Sequence, residues 1–136
     1  MKKLILIAMC FISLQLSAQG NLQFNQVINL DYTSAISGIS KVNLGSVTVP
    51  AGKTWKIESG TLYRDSGTSN IGEAVAANLA FNNILVCDNK TNNNPNGTNY
   101  PIWLSAGTYQ VVMSQNVSSN LTYVFSISII EFNIVP

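Results

Sequence analysis

The chain has 136 residues, 46% of them hydrophobic and only 10% charged, with a formal net charge of +1, two cysteines and no histidine. That length suits one domain of ordinary size, and seven basic against six acidic residues leave no basic face for nucleic acid. Without histidine, the commonest general base and the commonest metal ligand are both missing.

Residues 1–18 are expected to be a signal peptide that is removed. Met1-Lys2-Lys3 is a basic start, the run Leu4 to Ile12 is apolar, and Ser17-Ala18 ends on small residues before Gln19. The apolar run is well short of the ~20 residues a spanning helix needs, so a membrane-spanning anchor is rejected. Cys10 raises the bacterial lipoprotein pattern, which wants a small residue before its cysteine. Met9 stands there and the cysteine comes too early in the run, so that reading is rejected as well. The predicted mature domain, residues 19–136, lies outside the cytoplasm of a bacterium: in the periplasm, at the cell surface or beyond it. It keeps a single cysteine, Cys87, and therefore has no internal disulfide. Cys87 ends the apolar run Ile84-Leu85-Val86 and reads as a small buried hydrophobe.

The mature chain reads as short strands. Leu22, Phe24, Ile28, Leu30 and Tyr32 alternate with polar residues, a period of two that marks a half-buried strand. Val42 and Leu44, then Val47 and Val49, repeat it with a phase change at Gly45-Ser46, which predicts a bulge. Pro50-Ala51-Gly52 predicts a turn, and Trp55 and Ile57 open a strand running to about Arg64 with a weak point at Gly60. Asn70 to Phe81 is the exception. Asn70 with Glu73 makes a capping box, and the alanines that follow favour one short helix near residues 71–80, with a strand through Leu79–Cys87 competing for its end. Tyr100 to Leu104 and Thr108 to Gln115 flank a second turn, Ser105-Ala106-Gly107. In the last segment Tyr123, Phe125, Ile127 and Ile129 are odd while Ile130, Phe132 and Ile134 are even, which predicts a switch of face, hence a bulge, at Ile129-Ile130.

Turn signals every 7–12 residues or so are the spacing of an all-β sandwich or barrel. An outer-membrane barrel would need strands of ~9–11 residues with one continuous apolar face, whereas most segments here are shorter and interrupted by glycine. The expected fold is an antiparallel β-sandwich of about eight strands. The strand order and the two Ala-Gly turns resemble small secreted jelly-roll sandwiches, without a diagnostic motif.

Catalytic chemistry finds little support. The six acids are scattered singly, and nothing favours Glu58 and Glu131 meeting as a glycosidase pair. No histidine base, G-x-S-x-G elbow, phosphate loop or Cys/His metal cluster is present. No catalytic residue, resident metal or cofactor is therefore assigned. The Asn-rich stretch Asp88 to Asn99 has the oxygens of a calcium loop but a single carboxylate and an internal Lys90, and reads as a long polar loop tipped by Asn96-Gly97.

Binding is better supported. Tyr100, Trp103, Trp55 and Tyr63 lie near turns, where aromatic side chains of sugar-binding sandwiches stack on rings. Parity with Ile57 turns Trp55 inward; Trp103, out of phase with Ile102 and Leu104, and Tyr100 beside the Asn-rich loop are expected to be exposed. The mature chain carries 17 Asn and 22 Ser or Thr against 11 charges, so copies repel each other weakly. The expected function is an exported, non-enzymatic protein that assembles with itself as a homo-oligomer or binds a cell-surface or extracellular component. The alternative is a small carbohydrate-binding module that holds a glycan with its exposed aromatics and the Asn-rich loop.

Overall fold

The computed structural model describes residues 21–65, 77–88 and 99–135. They form six strands, β1 (Asn21–Ser37), β2 (Ser40–Asp65), β3 (Ala77–Phe81), β4 (Ile84–Asp88), β5 (Ile102–Gln115) and β6 (Asn120–Val135). All pair antiparallel in one sheet, in the order β1-β6-β2-β5-β3-β4. The all-β antiparallel expectation holds, with six strands among the described residues in place of about eight. The count falls because β2 runs unbroken through the segment where the periodicity predicts separate strands. The predicted helix near 71–80 is corrected over its last four residues. Ala77–Phe81 is a strand whose inward Ala77, Leu79 and Phe81 pair with β5, so a buried period of two outweighs alanine's helix propensity. Residues 66–76, the proposed leader 1–18 and most of the Asn-rich stretch lie outside the described residues. No described helix is long and apolar enough to cross a membrane.

The sheet turns a corner where two similar sequences lie side by side. Val49 pairs with Gly107 and Thr54 with Ser105, so Pro50-Ala51-Gly52 and Ser105-Ala106-Gly107 occupy adjacent strands at one level. Neither is the hairpin turn expected from its composition. Each is a bend inside a continuous strand, and Gly52 takes φ +73°, a conformation open to glycine at little cost. Beyond the bend the sheet curls until its far end meets its middle. Gly60 on β2 faces Cys87, the Val86 carbonyl and Tyr100, and a Cβ there would collide with Cys87 Sγ and the Tyr100 hydroxyl. The missing side chain lets β4 close over the core.

That core holds Ile57, Leu79, Phe81, Val86, Leu104, Val111, Met113, Tyr123, Phe125, Ile127 and Ile129. The bulge predicted near Gly45 is present, since the register with β5 shifts between Asn43 and Gly45. The bulge predicted at Ile129-Ile130 is not. Burial on β6 stays odd from Tyr123 to Glu131, and the irregularities fall on its neighbours, between Phe24 and Gln26 on β1 and between Ile57 and Ser59 on β2.

Candidate binding face

Because β6 keeps its phase, the residues after Ile129 go where their types do not suggest. Glu131 points into the core, and Ile130, Phe132 and Ile134 point out. The β1 bulge does the same to its partners: Leu22 pairs with Ile134, Phe24 with Phe132 and Val27 with Ile130, so all three share the outer face. On the other side of β6, Thr54 pairs with Phe132 and Lys56 with Ile130, and Lys56 pairs in turn with Trp103 on β5. The result is an apolar stripe three rows deep on β1 and β6, which continues past Thr54 and Lys56 of β2 to Trp103 on β5. Leu22, Phe24, Val27, Ile134 and Trp103 are all exposed in it, Phe24 at 64% and Trp103 at 48%.

The stripe has sharp borders. The next row along the strands is Asn29, Ser128 and Ser59, followed by Asp31, Ser126 and Thr61. Around the corner the outer face is mostly polar, with Thr48, Thr108, Gln110, Ser114 and Asn78, interrupted by the half-buried pair Val112 and Ala80. Single exposed apolar side chains are ordinary, whereas a bordered cluster of this kind marks an interaction surface. Within it the Trp103 and Phe132 rings lie 5.7 Å apart at 34°, the Lys56 ammonium sits 5.8 Å from the Trp103 ring, and Glu58 neutralises Lys56 at 2.6 Å. The stripe thus carries aromatic surface and no net charge.

The four aromatics singled out from the sequence separate into two pairs. Trp103 and Tyr63 face outward, Tyr63 in the row of Val124 and Thr33 at 39% exposure. By strand rise they stand roughly 20 Å apart along the sheet. Trp55 and Tyr100 serve the interior. Trp55 is 6% exposed and its indole Nε1–H donates to Glu131 Oε2 at 2.8 Å. Tyr100 is half-buried, against the exposure expected for it, and its hydroxyl donates to the Val86 carbonyl. Sequence reasoning missed Phe24, Phe132 and Leu22 because it assigned them inward by alternation.

Glu131 is the one buried carboxylate among the described residues. Burial by itself raises its pKa. Hydrogen bonds from Trp55, Asn25 and Gln26, with the nearby Lys53 ammonium, outweigh that and hold it below the ordinary carboxylate range. Asn25 Nδ2 and Gln26 Nε2 donate to Oε1 at 2.6 and 3.0 Å. These two amides come from the β1 bulge, which brings both to one acceptor. Glu58, paired with the outward Lys56, belongs to the opposite face of β2, so the structure does not bring Glu58 and Glu131 together as an acid pair. No described group of three or more His, Cys, Asp or Glu could hold a metal ion.

No protein-family model matches the chain, and no curated protein matches it. A solved chain from Bacillus endospore appendages, described as a novel family of disulfide-linked pili, aligns over 88% of this chain and 95% of its own length. The identity is 14% and the TM-score 0.36, below what establishes a shared fold.

Proposed function

We propose that this chain is an exported, non-enzymatic β protein that acts by assembling with copies of itself or by binding a component of the cell surface. The observation that carries this reading is the apolar stripe running out onto β1. That strand has 17 residues and, among the described residues, pairs with β6 alone, so its other edge presents a row of backbone donors and acceptors with no described strand against it, beside exposed Leu22, Phe24 and Val27. A long edge strand with apolar side chains is a template for pairing with another chain unless something covers it. The absence of net charge on the stripe opposes neither a second copy nor a neutral partner.

Light scattering after size exclusion tests the reading on residues 19–136, with and without reductant. A defined oligomer that survives reductant and dissociates in Phe24→Asp supports assembly. A monomer at all concentrations rules out self-assembly and leaves the surface partner.

One observation favours a second reading. Phe24 and Phe132 are paired on the outer face, and Trp103, one row along, brings its ring within 5.7 Å of Phe132, a cluster of aromatic faces on which sugar rings can stack. Against it, Leu22, Val27 and Ile134 surround the cluster with aliphatic surface where a glycan would want hydrogen-bonding groups. Retention on bacterial cell-wall polysaccharide, lost in Trp103→Ala, would favour the glycan.

A further inference from the structure

Beside the Trp55–Glu131 pair, the inner face of the sheet brings together three groups whose chemistry is complementary. Lys53 and Asn133 are directly opposed on β2 and β6, and the Lys53 Nζ donates to Asn133 Oδ1. Glu131, two residues before Asn133 and facing the same way, has Oε1 3.9 Å from the same Nζ. An amine, a carboxamide and a carboxylate thus share one partly water-excluded corner, with Glu131 at 3% exposure and the Lys53 side chain at 25%.

We propose that Lys53 and Asn133 become joined by an isopeptide bond that the folded chain forms on itself, with Glu131 moving the proton. The step balances without oxidant or cofactor. The Lys53 ammonium, partly open to water, sheds one proton to solvent, and the freed amine attacks Asn133 Cγ. The new Nζ–Cγ bond forms and the Cγ–Nδ2 bond breaks. The attacking nitrogen, made acidic by bond formation, gives its extra proton to the Glu131 carboxylate, which passes it to the departing nitrogen, and that nitrogen leaves as ammonia. A lysine amine is a competent nucleophile once it is deprotonated, and holding it against one carboxamide replaces a very slow encounter with a local one.

Two features distinguish this corner from ordinary surface pairs. Glu131 is held in place by Trp55 on Oε2 and by Asn25 and Gln26 on Oε1, the oxygen nearest the Lys53 ammonium. Lys56, the nearest other lysine on β2, faces outward and is paired with Glu58. The bond would tie the residue after the Gly52 bend to the last strand, closing a loop between positions 80 apart in sequence. It would make extraction of β6 from the middle of the sheet far harder, a property independent of whether the chain assembles.

Mass spectrometry of the purified, fully denatured chain decides the matter. The wild type is expected to be lighter than its sequence by one ammonia, about 17 Da. Cyclisation of an N-terminal Gln19 gives the same loss, so assignment rests on the digest. Trypsin should skip Lys53 and release residues 42–56 joined to residues 91–136. Lys53→Arg, which keeps the charge, and Glu131→Gln should each yield the two peptides unlinked, with a lower melting temperature than the wild type. A wild-type digest with cleavage at Lys53 and a free 91–136 peptide would overturn the proposal, whatever the variants do.

Discussion

The Trp55 indole donates to the Glu131 carboxylate at 2.8 Å, and both side chains are nearly inaccessible to water. This pair crosses from β2 to β6 just beyond the sheet's corner, and it explains how an acid is tolerated inside a core. A buried charge is costly unless its lone pairs are filled, and here three donors and an ammonium surround it.

That arrangement predicts an acid limb in stability. The carboxyl of Glu131 is held below its ordinary value of 4.5 in the folded state. The folded state therefore binds this proton less readily than the unfolded state. The stabilisation is complete above about pH 4.5 and is lost as pH falls through the folded value. Urea unfolding followed by tryptophan fluorescence between pH 7 and 3 should show the decline, and Glu131→Gln should be less stable at neutral pH with a flatter acid limb.

Gly60 should tolerate no side chain. A Cβ there meets Cys87 Sγ and the Tyr100 hydroxyl, with the Val86 carbonyl 3.1 Å away. Gly60→Ala is expected to cost about 1–3 kcal/mol by overpacking. Calorimetry would register it as a lowered melting temperature. A variant as stable as the wild type would show that β4 does not close on β2 as described.

Two aromatic substitutions should separate packing from binding. Tyr100→Phe removes the donor to the Val86 carbonyl and should cost about 1–2 kcal/mol in chemical denaturation. Trp103→Ala, on the exposed stripe, should change stability by at most about 0.5 kcal/mol. Its effect belongs in the association or retention assays instead.

Cys87 should be silent in the native protein. Burial pushes its thiol up to about 11, only partly offset by a hydrogen bond with Tyr100, so it stays protonated at neutral pH. A chromogenic disulfide reagent should find no thiol in the folded residues 19–136 and one after denaturation. Rapid native labelling would show that the β4 edge opens readily.

The alternation of apolar residues in 22–32, 42–57 and 109–129 was enough to establish an antiparallel all-β chain, because a half-buried strand can be written only with a period of two. Trp103's outward position was legible for the same reason, since Ile102 and Leu104 flank it. The inside–outside assignment at the sheet's lower end was not. Side-chain type assigns Glu131 to solvent and Phe24, Phe132 and Ile134 to the core, and the structure reverses all four. Facing depends on register, and register belongs to a pair of strands. Bulges in β1 and β2 let β6 keep its phase, so the partners' irregularity decided which face β6 presents. The sequence by itself therefore determined the class of fold. Only the tertiary pairing decided that an acid would be sealed beside Trp55 and Lys53 while an apolar stripe was left in water.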